Sequence, residues 1–137
     1  MSKPLNRLRG DREMLERRIK AVAPPGTIIP KPRAQGHFYV KGDGIRRDQR
    51  ALIYTIPNHS NPIAPHEKGV TYAELEHAYT RLLQTGMLET KWFKQHLSAC
   101  YAEGSCNFTT VGGLFELLGE AKCERPGTYR WLDATVR

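Results

Sequence analysis

The sequence predicts a mixed α+β protein whose second half holds three amphipathic helices closed by an antiparallel hairpin. Apolar residues recur there at helical spacing in three separate segments. Pro126-Gly127 favours a type II turn, and the residues on either side of it can pair as strands. A basic helical arm precedes this domain. We expect an arm over residues 1–36 and a domain with N-terminal strands over residues 37–137.

The last predicted helix, over residues 109–118, organises this interpretation. Its large apolar side chains fall at i, i+3, i+4 and i+7, on one stripe of a helix: Val111, Leu114, Phe115 and Leu118. Asn107, Thr109 or Thr110 can cap its start, and Gly119 suits a left-handed C-terminal residue. Inside it, Gly112-Gly113 indicates close approach of another backbone, which we expect to be that of a neighbouring helix, with a DNA strand or a protein partner as alternatives.

Two further helices are predicted before it. Thr71 and Glu74 have the spacing of a capping box, and the helix that they begin is expected to end at Gly86. Thr90 is expected to cap the next helix, over residues 91–101.

The first half is predicted to contain one helix and two strands. Residues 1–10 are expected to be loose, residues 11–23 to form a helix, and Pro-rich residues 24–33 to form an extended connector. The helix is expected either to dock on the core or a partner chain, or to lie on a phosphate backbone.

The strands are predicted at 37–41 and 51–56. Gly42-Asp43-Gly44 is read as a turn, and Arg46, Arg47 and Arg50 as a basic loop. Residues 57–69 are expected to form a loop, because Pro62 and Pro65 disfavour regular structure.

This layout resembles the winged helix-turn-helix superfamily over about residues 69–133. The resemblance implies that the strand at 51–56 pairs with the terminal hairpin. It also implies that the third helix enters the major groove of DNA and that the hairpin loop around Arg125 contacts the backbone.

Charge is concentrated in the N-terminal part of the chain. Residues 1–50 hold 13 Lys and Arg against 5 Asp and Glu, a net charge of +8, within a total of +7. Such a distribution favours contact with polyanions, although a basic tail that aids solubility is an alternative. The predicted nucleic-acid contacts are Arg7, Arg9, Arg12, Arg17, Arg18, Lys20, Lys31, Arg33, Arg46, Arg47, Arg50, Thr109, Thr110, Lys122 and Arg125.

Two functions follow from these features. The first is a non-enzymatic nucleic-acid-binding protein, with DNA as partner and a regulatory or accessory role. The alternative is a winged-helix module that binds a protein partner, with a homodimer as one form. Glu116 and the two glycines of the third helix favour the alternative, since a base-reading helix normally presents Arg, Lys, Asn or Gln.

No catalytic set, cofactor motif or metal site is predicted. Cys100, Cys106, Cys123 and His96 lack the usual spacing of zinc modules, and His59 and His66 fit no common site. Three cysteines indicate a reducing, cytoplasmic setting rather than a disulfide framework. Apolar runs are too short for a membrane span, so no membrane partner is expected.

Overall fold

The computed structural model describes residues 5–33 and 36–132, and only the backbone of residues 5–9. This part of the chain is a mixed α+β structure with five helices and seven strands. The helices are α1 (Leu5–Val22), α2 (Tyr72–Thr85), α3 (Thr90–His96), α4 (Ser98–Glu103) and α5 (Cys106–Leu117). The strands are β1 (Ile28–Ile29), β2 (Phe38–Arg46), β3 (Gln49–Ile56), β4 (His66–Thr71), β5 (Met87–Glu89), β6 (Ala121–Arg125) and β7 (Thr128–Trp131).

The strands form two antiparallel sheets. The first has the order β1-β2-β3-β4, and the second has the order β5-β7-β6. One hydrophobic core joins them, and it includes Ile29 and Tyr54 from the first sheet and Leu88 and Tyr129 from the second. The prediction of an α+β chain is confirmed at this level.

The predicted turn at Gly42–Gly44 is wrong, because β2 continues through these residues to Arg46. A bulge between Val40 and Gly42 shifts the register of β2 against β3, and Gly42 takes a φ of 142° there. The reversal comes later, at Arg47-Asp48, where Arg46 pairs with Gln49.

The β2–β3 turn places two non-glycine residues in the left-handed region, with φ of 48° at Arg47 and 61° at Asp48. Such two-residue hairpins favour Asn-Gly or Asp-Gly, because a side chain with a Cβ is strained there. Asp48→Gly is therefore expected to raise the free energy of unfolding by about 0.5–1 kcal/mol. Urea unfolding measures this, and Asp48→Ala, which removes the same carboxylate but keeps a Cβ, should give no gain. Equal stabilisation by both variants would assign the effect to charge instead.

Two other predictions for the first sheet need correction. The segment 57–69 is not loop throughout, because β4 begins at His66, directly after Pro65, and pairs with β3 at the edge of the sheet. The strand at 51–56 does not join the terminal hairpin, because its two neighbours are β2 and β4.

The third strand beside the terminal hairpin is β5, a three-residue segment directly after Gly86. The hairpin itself is confirmed, with Arg125 opposite Thr128 and Gly127 at a φ of 88°. The Thr90 hydroxyl donates to the Gly127 carbonyl at 3.3 Å instead of capping a helix, so it fastens the hairpin turn to the start of α3.

The caps of α2 are confirmed. Thr71 and Glu74 form the capping box, and Gly86 ends the helix in the left-handed conformation with a φ of 80°. The next predicted helix is interrupted, because Leu97, at φ −127° and ψ 50°, separates α3 from α4.

Helix α5 lies at the centre of the fold, and eight of its twelve residues are buried. It begins at Cys106 without a side-chain cap, so the predicted caps are wrong. The Asn107 side chain instead accepts from the Tyr54 hydroxyl at 2.6 Å and donates to the Cys100 carbonyl at 2.8 Å. Gly119 has the predicted left-handed conformation, with a φ of 76°.

The two glycines of α5 allow close approach, but not by a neighbouring helix as we expected. A Cβ on Gly112 would lie 2.1 Å from the Tyr129 ring, and a Cβ on Gly113 would lie 2.3 Å from the Pro30 carbonyl oxygen. The connector after β1 therefore packs directly on α5.

Helix α1 begins before the predicted Asp11 and runs through Gly10. One glycine costs a helix only about 1 kcal/mol, which neighbouring helix formers can offset. Leu15 and Ile19 lie in the core, as expected for a helix that docks there. No helix in the described part of the chain has the length and apolar character that crossing a bilayer requires.

Candidate nucleic-acid interface

Most of the predicted arginines are engaged by carboxylates. The Arg47 guanidinium bonds both oxygens of Glu74, at 2.7 and 2.8 Å, and also reaches Glu103 and the Gly69 carbonyl. The side chains of Arg47 and Glu74 are 22% and 14% exposed. Arg46 donates to Glu103 at 3.2 Å. The arginines predicted to form a basic loop thus connect the β2–β3 turn to α2 and α4 by ion pairs, and we call this set of ion pairs the cross-link.

Within this cross-link, Arg47 and Glu74 each stabilise the charged form of the other. Burial alone would raise the pKa of Glu74, but hydrogen bonds from Arg47 and from the Thr71 amide outweigh it and hold that pKa below its ordinary value. The hydrogen bond to Glu74 raises the pKa of Arg47 further, so the guanidinium stays charged.

The basic residues of α1 and the start of β3 are paired in the same way. Arg18 donates to Glu120 at 2.7 Å, Arg12 faces Glu76 at 3.4 Å, and Arg50 binds Glu16. Lys20 lies 2.8 Å from Glu16 and 2.9 Å from Asp43. Arg17 is exposed. The side chains of Arg7 and Arg9 lie outside the described residues.

Helix α5 offers little surface for reading bases. The Thr110 side chain is fully buried, so we leave it out of the candidate interface. Thr109 is half-buried and faces a groove. The remaining partly exposed residues near the helix end, Glu116 and Leu117, are acidic or apolar.

Three predicted residues from distant parts of the sequence meet at that groove. Lys31 and Arg33, in the segment after β1, border it together with Thr109 of α5 and the hairpin turn Pro126-Gly127. We call this cavity of about 270 Å³ the basic groove. Arg125 immediately precedes its turn.

Aromatic side chains complete the basic groove. Phe108 and Tyr129 are 5% and 1% exposed and therefore form its floor, while Phe38 is half-buried. The Lys31 ammonium lies 4.5 Å from the centre of the Phe38 ring. Among the described residues that line the groove there is no carboxylate.

The terminal hairpin adds further positive charge beside this turn. Lys122 is exposed on β6, and Arg125 and Arg130 share the carboxylate of Glu124 at 3.2 and 3.7 Å. These ion pairs are solvent-exposed and therefore weak, so the two arginines can exchange Glu124 for a phosphate at little cost.

The aromatic part of the basic groove was missed by the sequence analysis. Phe38 lies within the strand predicted at 37–41 and Phe108 directly before the helix predicted at 109–118, and neither was assigned a binding role. A signal was available in Phe38 and Pro126, which each lie within a few residues of a cation, but spacing alone does not show that β2, α5 and the hairpin converge.

The cysteines occupy separate structural positions. Cys100 is buried, and burial raises the pKa of its thiol. Cys106 lies 3.2 Å from the Tyr54 hydroxyl, and the Cys123 thiol donates to the Arg125 carbonyl. Within the described ranges, no three His, Cys, Asp or Glu side chains are grouped so that they could hold a metal ion.

A second polar cluster lies on α2 and α3, away from the basic groove. Trp92 stacks on His96 with ring centres 5.0 Å apart, and His77 meets Trp92 edge-on at 5.1 Å. The arrangement is a packed cluster of one tryptophan and two histidines.

Comparison with known proteins gives no match to this chain among protein-family models, curated proteins or solved structures.

Proposed function

We propose that this chain is a non-enzymatic nucleic-acid-binding protein in which residues 72–131 form a winged-helix unit, with a regulatory or accessory role in DNA transactions. The order of elements supports this layout: a first helix, a short strand, two further helical regions and a hairpin. The sheet order β5-β7-β6 places the short strand against the last one. The middle helix of the unit is divided at Leu97 into α3 and α4.

The observation that carries the proposal is the convergence at the basic groove. Lys31 and Arg33 lie more than 70 residues before Thr109, and the hairpin turn comes later still. A cleft with cations at its border and no lining carboxylate raises the local concentration of an anionic ligand.

The geometry favours contacts with the sugar-phosphate backbone over reading of base pairs. The helix that would enter a major groove, α5, is covered by Pro30 on one side and by Tyr129 on another. Backbone contact releases counterions and is therefore strongly salt-dependent and weakly sequence-dependent. We expect binding of this kind.

Neutralising the groove cations should weaken binding. For Lys31→Gln/Arg33→Gln, we expect affinity for a labelled mixed-sequence oligonucleotide to fall roughly tenfold at about 50 mM salt. The slope of log K against log salt should fall by about 2, because two phosphate contacts are lost. Fluorescence anisotropy from about 50 to 200 mM salt measures both quantities.

The matched control is Lys41→Gln/Arg50→Gln, which removes the same charge. Both residues are exposed, and neither lines the basic groove. Equal losses in the two double variants would place the interface elsewhere. Absence of binding by the unaltered chain at about 50 mM salt would overturn the nucleic-acid proposal itself.

A protein partner is the second candidate, and two exposed apolar side chains at a groove between α1 and α2 favour it. Met14 and Leu83 border that groove and are 59% and 50% exposed. A partner chain that covered these two side chains, including a second copy, would remove their apolar surface from water. This candidate takes precedence if the anisotropy experiment shows no binding.

A further inference from the structure

We infer that the basic groove holds an unpaired nucleobase, so that the ligand of this protein is single-stranded nucleic acid. The inference rests on the proposed function and names the form of ligand that the same site takes. It starts from the shape of the surface. Proteins read duplex DNA by inserting a protruding helix or ribbon into a groove, whereas here the central helix is covered and the cationic surface is itself a cavity.

The size of the cavity suits one planar ring system. Its volume of about 270 Å³ lies just below the range of small-molecule pockets, which begins at roughly 300 Å³. A duplex keeps its bases stacked inside and offers only phosphates and sugars to such a cavity. A single strand can turn a base into it.

The lining has the two components that single-strand sites combine. Phe38, Phe108 and Pro126 supply apolar surface, while Lys31 and Arg33 supply charge at the border. Proteins that bind single strands use aromatic rings as stacking platforms beside a cationic track for the backbone. Here the two components occur in one cavity.

The present contact of Lys31 with Phe38 is compatible with this role. An exposed cation–π contact is worth about 0.5–1 kcal/mol, whereas stacking of a base on an aromatic ring is worth about 1–3 kcal/mol. A base can therefore take the face of Phe38 while the Lys31 ammonium turns to an adjacent phosphate. The Thr109 hydroxyl, on the same lining, can hydrogen-bond to the edge of the base.

Stacking should make binding sensitive to the Phe38 ring. Phe38→Leu retains an apolar side chain but removes the aromatic face, so affinity for a single strand of about 15 nucleotides should fall roughly 5- to 100-fold. The salt slope should not change, because no charge is removed. Anisotropy with single-stranded DNA, RNA of the same sequence and the corresponding DNA duplex measures the effect and separates DNA from RNA.

The control is Tyr39→Leu, which removes the neighbouring ring, 42% exposed and absent from the groove lining. It should leave single-strand affinity unchanged. An abasic strand of equal length, tested on the unaltered chain, removes any dependence on how the variants fold. It should bind more weakly than the normal strand with the same salt slope.

The outcomes separate this inference from the proposed function. Duplex binding as tight as single-strand binding, or equal affinity for the abasic and normal strands, would overturn the inference and leave salt-dependent nucleic-acid binding in place. Absence of binding to every oligonucleotide at about 50 mM salt would overturn both.

Discussion

Gly112→Ala is expected to lower the free energy of unfolding by about 3 kcal/mol, although alanine is the better helix former. The added Cβ would lie 2.1 Å from two atoms of the Tyr129 ring, where carbon atoms normally stay about 3.5–4 Å apart. That ring cannot move aside easily, because it is 1% exposed and packs against Phe108 with ring centres 5.5 Å apart. The gain of about 1 kcal/mol in helix propensity is smaller than this clash. Urea unfolding followed by circular dichroism measures the difference.

Gly10→Ala is the matched control for Gly112→Ala. Gly10 also lies within a helix, but a Cβ at this position would meet no atom within 4 Å. The same substitution should therefore stabilise the protein, by up to about 1 kcal/mol. If Gly112→Ala changed stability by less than about 0.5 kcal/mol, the close packing of α5 on Tyr129 would be refuted.

Arg47→Gln is expected to cost about 3 kcal/mol of stability near neutral pH, because it leaves the carboxylates of Glu74 and Glu103 without their main partner in a largely buried position. The loss should diminish in acid. The pKa of Glu74 in the folded protein lies below its ordinary value of 4.5, so this group contributes stability that is present above pH 4.5 and lost as the pH falls through the folded pKa. Without Arg47 the pKa of Glu74 rises, and the pH-dependent contribution of Glu74 to the free energy of unfolding disappears. Urea unfolding at about pH 7 and about pH 3.5 tests both expectations.

Arg50→Gln provides the comparison for Arg47→Gln. Arg50 also binds a glutamate, but its side chain is 58% exposed, and Glu16 retains Lys20 as a partner. An exposed pair of this kind contributes less than about 1 kcal/mol. Equal losses for Arg47→Gln and Arg50→Gln would show that burial does not set the strength of the cross-link.

The elements that the sequence predicted well are those whose signals are local. The capping box of Thr71 and Glu74 is satisfied within one helical turn, and Gly86 and Gly127 adopt left-handed conformations that few other residues tolerate. These residues determine where α2 begins and ends and where the terminal hairpin turns. Such requirements depend on residues a few positions apart in the chain and not on distant contacts.

The errors occur where tertiary contacts decide the structure. β5 is only three residues long and has no periodicity of its own, so its pairing with β7 could not be recognised in the sequence. Gly42–Gly44 has the composition of a turn, but all three residues pair with β3 and so remain in β2, with a bulge directly before them. In both cases the pairing with a strand distant in the sequence determines the structure.

The candidate site shows the same division. Charge distribution placed Lys31 and Arg33 among the predicted contacts, because net charge is a property of sequence alone, and the resemblance added the hairpin loop around Arg125. The sequence could not show that Arg47 is paired, because its carboxylate partners Glu74 and Glu103 are distant in the chain. Ion pairing removes some cations from the available surface, and only the fold shows which ones.

The contact between Gly113 and Pro30 bears on how the protein can be dissected. The N-terminal third carries charge, but it also contributes Ile19 and Ile29 to the core and covers α5. Truncation at residue 36 would remove these apolar groups together with the cations, and the remaining chain would expose part of its interior to water. Loss of binding after such a deletion would therefore not distinguish missing charge from a collapsed architecture. Ile19, Ile29 and Pro30 are thus part of the packed interior, and single substitutions are the way to separate the contribution of charge from that of packing.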